Sequence, residues 1–144
     1  VVRNWVPYEV ALDDEEGLES GSDFFRFTSN GVIACNQRGK DTLYPIIKER
    51  VEFLPLTHNV EIYYVVNTIK IYPCFDYERS EISYFPSGNI KGVGKIAFKP
   101  GCNEKSPIFK VPEFLLSMIF VTDVFKETVE EYKLQGLTFK EVEQ

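Results

Sequence analysis

Short apolar runs recur along the chain and predict β-strands. The strongest is "VEIYYVV" (60–66), which is β-branched, aromatic and apolar over most of its length, so we expect a central strand. The preceding run, "VEFLPL" (51–56), contains Pro55, which cannot donate to a ladder and therefore predicts a strand end or an edge strand. Further strands are predicted at "NWVPYEV", "GVIAC", "GKIAFK", "SMIFV" and "LTFKEV".

Helical spacing of apolar residues begins in "NQRGKDTLYPIIKER", where Leu43, Ile46 and Ile47 share one face. Pro45 interrupts this pattern, because a proline inside a helix removes a hydrogen bond and clashes with the preceding turn. The pattern therefore predicts a helix that begins near Asp41 or a helix that is kinked.

A second helix is predicted in "TDVFKETVEEYKLQG". Thr122 is a favourable N-cap, and Asp123 follows in the first turn, where a carboxylate meets the positive end of the helix dipole. Gly136 suits the left-handed position after the helix, with Leu137 in contact with Tyr132 in a Schellman-type stop. The apolar face has the spacing i, i+4, i+7 and comprises Phe125, Val129 and Tyr132.

The order strand, helix, strand occurs twice, first from "VIAC" to "VEFLPL" and again from "IFV" to "LTFKEV". The spacing agrees between the two units, and four pairs align: Thr42 with Thr128, Leu43 with Val129, Ile46 with Tyr132, and Phe53 with Phe139. Two such units on a common sheet predict an α+β fold with two main helices and a mixed, mostly antiparallel sheet. A length of 144 residues suits one domain over 1–144.

The formal net charge of −6 bears on the kind of partner that the protein binds. It argues against nucleic acid, since phosphate contacts need clustered Lys and Arg. An acidic surface instead favours a basic protein partner. No apolar run reaches the length of a membrane span and no signal peptide is recognisable, so we expect neither membrane nor secretion.

Two acidic clusters are candidate partner-binding sites, one in "DDEEGLESGSD" and one in "DYERSE". Their acids are Asp13, Asp14, Glu15, Glu16 and Glu19 in the first, and Asp76 and Glu78 in the second. The first lacks the DxDxDG spacing of a calcium loop. Paired carboxylates such as Asp76 and Glu78 can hold Mg²⁺ or act as acid and base, but the adjacent Arg79 favours a turn closed by an ion pair. We therefore predict no metal or other cofactor.

The remaining candidates for chemistry are few. His58, the single histidine, has no neighbouring nucleophile and carboxylate, so a surface residue is expected. The segment "GNIKGVGK" lacks the first Gly and the Ser or Thr of a phosphate loop. Cys35, Cys74 and Cys102 are widely spaced and cannot complete a zinc site with one His. They are expected to be reduced thiols in the cytoplasm, with Cys35 in the core and Cys102 the most exposed.

Several motifs together resemble the immunity proteins of bacterial polymorphic toxin systems, of the immunity protein 43 or 11 type, formerly a domain of unknown function. They are "VEFLPL", "YYVVN", "CFDYERSE" and the terminal unit from "IFKVPEF" to "LTFKEV". Val121, Thr122 and Asp123 match the start of that family's last helix, with Thr122 in place of the commoner Ser, and "GLTF" matches its exit. The resemblance extends from about Trp5 to the C-terminus, and it implies a further N-terminal segment before Val1.

The resemblance implies binding rather than catalysis. Such proteins are cytoplasmic and bind the C-terminal domain of a cognate toxin, which is often basic, and block its active site. It supplies no contact residues, so the two acidic clusters remain our own hypothesis. Two alternatives stay open: a metal-dependent enzyme that uses Asp76 and Glu78, and an interaction subunit unrelated to toxins. Stoichiometry and oligomeric state do not follow from the sequence.

Overall fold

The computed structural model of this chain describes residues 8–12, 22–26, 32–58, 60–101, 106–115 and 118–142. Within these ranges the fold is α+β, as the sequence predicts, with two α-helices and mostly antiparallel strands. The helices are α1 (Gln37–Ile47) and α2 (Asp123–Glu131), and a 3₁₀ turn lies at Pro112–Phe114. The strands are β1 (Tyr8–Leu12), β2 (Phe24–Arg26), β3 (Ile33–Cys35), β4 (Val51–His58), β5 (Glu61–Thr68), β6 (Glu81–Tyr84), β7 (Ile90–Lys95), β8 (Ile108–Phe109), β9 (Phe120–Val121) and β10 (Leu137–Glu141).

The strands of the described ranges are divided among three sheets. One sheet has the order β10-β1-β9-β8, a second has the order β2-β3-β5-β4, and β6 and β7 form a two-stranded ribbon. Adjacent strands are antiparallel throughout these sheets, and a parallel contact occurs as an isolated bridge between Ile71 and Lys110. The strand-helix-strand units therefore lie in separate sheets and not on the common sheet that we expected.

The two units nevertheless share one arrangement. The strands β3 and β4 lie on either side of β5, and β9 and β10 lie on either side of β1, with the central strand antiparallel in both cases. Equivalent threonines make the same bond, because Thr42 Oγ1 donates to the Arg38 carbonyl and Thr128 Oγ1 to the Val124 carbonyl, each at 2.7 Å. The helices α1 and α2 pack on each other. The sequence pairing of Thr42 with Thr128 is thus matched by structure.

Helix α1 begins earlier than the proline suggested. Asn36 is its N-cap, and Asn36 Oδ1 accepts a hydrogen bond from the Gly39 N–H at 2.8 Å. The predicted start near Asp41 was wrong, because this cap lets the helix begin at Gln37, four residues earlier. Pro45 lies in the last turn and cannot donate to the Asp41 carbonyl, so the helix loses one hydrogen bond near its end.

Helix α2 begins as predicted but ends differently. Thr122 is the N-cap, although its buried hydroxyl has no hydrogen-bond partner among the described residues. The Schellman stop is three residues earlier than expected: Lys133 has φ +54°, and the N–H of Leu134 bonds to the carbonyl of Val129 at 3.0 Å. Tyr132 is consequently 54% exposed and does not belong to the buried face.

Two hydrophobic clusters form the core. The first joins both helices to the two four-stranded sheets and includes Leu43, Ile47, Phe125 and Val129. The second lies beneath the β6–β7 ribbon and is rich in phenylalanine, as the aromatic composition suggests: Phe75, Phe98, Phe109 and Phe120. The rings of Phe98, Phe109 and Phe120 contact one another, and Phe98 meets Phe120 edge-on at 4.8 Å between centroids.

The cysteines are not all reduced, contrary to the sequence-based expectation. Cys35 is a free thiol buried in the first cluster, as predicted, and burial raises its pKa to about 12. Cys74, in the second cluster, is disulfide-bonded. The expectation failed because wide spacing along the sequence does not exclude proximity in the fold. Cys102 lies outside the described residues.

Strand β4 is an edge strand of its sheet, as Pro55 predicts. The Ile69 N–H bonds to the Arg50 carbonyl, which continues the β4–β5 register and makes Arg50 and Ile69 a hydrogen-bonded pair. Hydrogen-bonded and non-hydrogen-bonded pairs alternate along the two strands, so Pro55 and Tyr64 form a non-hydrogen-bonded pair. The backbone nitrogen and carbonyl of residue 55 therefore point away from β5. Proline thus sits where a second strand would need an N–H donor, and it protects this edge from strand addition.

Candidate partner-binding surfaces

The turn after Phe75 holds Asp76 in a fixed orientation. Asp76 Oδ1 accepts from the backbone N–H groups of Glu78 and Arg79 at 3.0 and 3.2 Å, and its Oδ2 lies 2.9 Å from Arg79 Nε. Arg79 also donates to the Phe98 carbonyl. The hydrogen bond from the Arg79 side chain is the main cause that lowers the pKa of Asp76. Asp76 therefore organises a turn through the ion pair that the sequence suggested.

Glu78 is exposed on the same turn. Within the described ranges, no three His, Cys, Asp or Glu side chains come together as a metal ion would require. The Asp76 carboxylate is occupied by donors of its own turn, so Glu78 is the acid of this pair that remains available to a partner.

A surface of exposed aromatic residues adjoins this turn, and we call Tyr77, Tyr84 and Glu113 the tyrosine surface. Tyr77 and Tyr84 are 51% and 52% exposed. The Tyr77 hydroxyl donates to Glu113 Oε2 at 2.7 Å, and its ring packs edge-on against Phe75 at 5.0 Å. The bond to Glu113 is the main cause that raises the pKa of Tyr77. Exposed tyrosines are enriched at protein interfaces.

The five acids of the first cluster, Asp13, Asp14, Glu15, Glu16 and Glu19, lie outside the described residues. Leu12 precedes this segment and pairs with Leu137 at the start of β10. On its far side, Asp23 accepts a hydrogen bond from the Gln135 N–H at 2.8 Å. The described residues on both sides of the acidic segment are therefore anchored beside the start of β10.

An open groove lies between the turn of the β4–β5 hairpin and the first turn of α1, and we call it the hairpin groove. Its volume is about 680 Å³, and its lining residues are Ser22, Asn36, Gln37, Arg38, Val60, Glu61, Ile62 and Tyr63. Val60 and Ile62 are 96% and 52% exposed. The groove thus combines apolar side chains with a carboxylate, that of Glu61.

Val60 has an unusual backbone conformation. The last β4–β5 pair joins His58 to Glu61, so residues 59–60 form a two-residue loop. Val60 has φ +60°, where glycine or asparagine is favoured, and a left-handed conformation costs roughly 1–2 kcal/mol for a residue with a Cβ. A β-branched side chain there is a rare outlier. Val60 therefore combines backbone strain with almost complete exposure of an apolar side chain.

Val60 could be overlooked because "VEIYYVV" has the pattern of one continuous strand. The signal was present in "HNVE", which separates two strands by two residues and has valine where a hairpin favours glycine. His58 is exposed at the end of β4, as expected of a surface residue.

Exposed apolar and aromatic side chains on this α+β domain are the kind of surface at which proteins bind one another. A protein-family model, described as the immunity protein family (Imm11), matches residues 54–144. This is more than half of the chain, so the chain belongs to that family, as the resemblance of its motifs indicated. No curated protein matches the chain. Among the described residues, neither helix has the length and apolar composition that crossing a membrane requires.

Proposed function

We propose that this protein is a cytoplasmic immunity protein that binds the C-terminal domain of a cognate bacterial toxin and blocks its active site, with no catalysis of its own. The observation that carries the proposal is the family match over residues 54–144. The tyrosine surface and the hairpin groove support it, because both present side chains that are favoured at protein interfaces. The tyrosine surface lies within the matched residues, and so do four of the eight residues that line the hairpin groove.

The test uses the toxin domain encoded beside the gene for this chain. We expect its expression alone to stop bacterial growth and co-expression of this chain to restore growth. The two proteins should also co-purify and show a nanomolar or tighter Kd by calorimetry. A catalytically dead toxin variant provides the control for growth arrest. Growth arrest that persists at matched expression, with no measurable binding, would refute the proposal.

The acidic clusters have a specific part in this proposal. Asp13, Asp14, Glu15, Glu16 and Glu19, together with Asp76 and Glu78, would steer a basic toxin domain toward the protein. Replacing the five acids of the first cluster by Asn or Gln should slow association at low salt and flatten its dependence on ionic strength. Asp41→Asn, which removes one exposed charge on α1, is the single-charge control. Equal association rates at low salt would rule out the steering role.

The enzyme alternative has no support from the geometry of Asp76, because Arg79 and two backbone N–H groups already engage its carboxylate. It predicts a divalent-metal-dependent activity that Asp76→Ala removes. The alternative of an interaction subunit unrelated to toxins predicts self-association or capture of another partner. Size-exclusion chromatography of the purified chain would reveal the self-association.

A further inference from the structure

We infer that the hairpin groove is the docking site for a toxin segment in which an apolar side chain is flanked by lysine or arginine. This inference rests on the proposed function and adds to it a place on the surface and a chemistry for the contact. It differs from the steering by acidic clusters, because a docked side chain affects how long the complex lasts and not only how fast it forms.

Residue 60 is a valine at a backbone position that favours glycine. Glycine at this position would remove the backbone strain of φ +60° and would also remove a side chain that is 96% exposed. The first effect stabilises the isolated protein and the second costs it no packing, so folding does not explain the valine. An apolar contact with a partner does explain it, since only the bound state buries the side chain. Ile62, at 52% exposed, extends the apolar area into the groove.

The charges that line the groove favour a basic partner segment. Arg38 is neutralised by Asp23, whose Oδ2 lies 2.7 Å from Arg38 Nη1, and Arg38 also donates to the Tyr132 carbonyl. Glu61 is the acid of the lining, and its Oε2 accepts from the Tyr63 hydroxyl at 2.5 Å. The local charge therefore complements a basic segment and opposes an acidic one.

The side chains of Tyr63 and Glu61 in the groove are positioned by contacts within the protein before a partner binds. The ring of Tyr63 meets the buried ring of Phe25 edge-on at 5.6 Å, and the Tyr63 hydroxyl holds Glu61. A carboxylate that is positioned before binding loses little freedom on contact with a cation. Docking through side chains at the hairpin turn also agrees with Pro55, which opposes addition of a strand along β4.

The decisive experiment measures folding stability and toxin affinity for the same variants, using the toxin domain encoded beside the gene. Val60→Gly should raise the midpoint of urea unfolding and yet weaken toxin binding at least tenfold, mainly through faster dissociation. Ile62→Ser should weaken binding to a similar extent. Glu61→Gln should weaken it less and reduce its salt dependence. A merely structural role for Val60 cannot produce higher stability together with lower affinity.

Two control variants separate the effects. Lys133→Gly relieves the other left-handed non-glycine residue within the described ranges, so it should raise stability and leave the dissociation rate unchanged. Phe85→Ser removes a side chain that is 49% exposed after β6, and it should also leave binding unchanged.

If wild-type protein binds the toxin and Val60→Gly binds equally well, the inference is overturned while the proposed function stands. If Phe85→Ser weakens binding and Val60→Gly does not, docking belongs to the β6–β7 ribbon and the inference is likewise overturned. If the wild-type protein does not bind the toxin, the proposed function fails and the inference fails with it.

Discussion

Arg38 Nη1 lies 2.7 Å from Asp23 Oδ2, and this ion pair joins the first turn of α1 to the residue that precedes β2. The Asp23 side chain is nearly buried and accepts two further hydrogen bonds, from Asn36 Nδ2 at 2.9 Å and from the Gln135 N–H at 2.8 Å. Three donors from two distant segments therefore converge on one carboxylate. This arrangement holds the N-cap of α1 against the loop that leads into β10.

Replacing Asp23 by Ala should lower the free energy of unfolding by about 2–4 kcal/mol, because it leaves the partly buried Asn36 amide and Gln135 N–H without their acceptor. Urea denaturation at neutral pH measures this loss. Glu130→Ala is the matched control, since it removes the exposed pair between Lys126 and Glu130 (2.9 Å) and should change stability by about 0.5 kcal/mol or less. Similar losses for the two variants would show that Asp23 is not the organising residue that we describe.

Gly136 should not tolerate any side chain. Its φ is +108°, and a Cβ added there would lie 2.2 Å from the backbone oxygen of Phe24. We expect Gly136→Ala to lose about 3 kcal/mol or more, or to fail to fold. Gly88→Ala is the control, because Gly88 has φ +91° with no atom within 4 Å of the added Cβ, and it should lose only about 1 kcal/mol. Equal thermal midpoints for the two variants would contradict the close approach of β2.

Local features of this fold could be predicted from the sequence. The central position of β5, the edge position of β4 and the N-cap of α2 follow from composition and spacing within about ten residues. The stop of α2 was misplaced because Gly136 offered the expected left-handed residue. The helix instead ends at Tyr132 with Lys133 in the left-handed position, and Gly136 is needed for its contact with Phe24.

Long-range features could not be predicted. No periodicity indicates that β1, more than a hundred residues before β10, is the strand between β9 and β10. The separation into sheets and the bond at Cys74 depend on the same distant pairings. The candidate site likewise has one part that the sequence reveals and one part that it does not. Acidic clusters are visible in composition, whereas the strain at Val60 is defined by a backbone angle.

The cysteines give a direct count that tests their assignment. The sequence has three cysteines, Cys35 is free and Cys74 is disulfide-bonded. Native protein should therefore react negligibly with Ellman's reagent at pH 8, because Cys35 is buried and burial raises its pKa. Denatured, unreduced monomer should release one thiol per chain, and reduced, denatured protein should release three. Release of three thiols before reduction would show that Cys74 is not bonded.

The raised pKa of Cys35 also predicts a loss of stability in alkali. The folded protein keeps this thiol protonated up to a pKa of about 12, whereas the unfolded chain ionises it near the ordinary thiol pKa of 9.0. Between these values the unfolded state binds fewer protons, so stability present below about pH 9 declines as the pH rises toward 12. Urea unfolding at pH 8 and pH 10.5 measures the decline, which should be smaller in Cys35→Ala. The tyrosines contribute equally to both proteins, so an identical decline would contradict the assignment to Cys35.

Lys40 provides the last prediction, because its ammonium lies among three aromatic rings where α1 meets β4 and β5. Lys40 Nζ is 4.7 Å from the ring centroid of Tyr64, 5.3 Å from that of Tyr44 and 5.9 Å from that of Phe53. Lys40→Met keeps most of the chain length and removes the cation, so it should lower the free energy of unfolding by about 1–2 kcal/mol. Lys99→Met, at an exposed lysine without such rings among the described contacts, should change it by about 0.5 kcal/mol or less. Chemical denaturation of both variants in low and high salt measures these changes in the free energy of unfolding. If Lys40→Met were as stable as the wild-type protein, the three rings would be packing on the lysine stem alone.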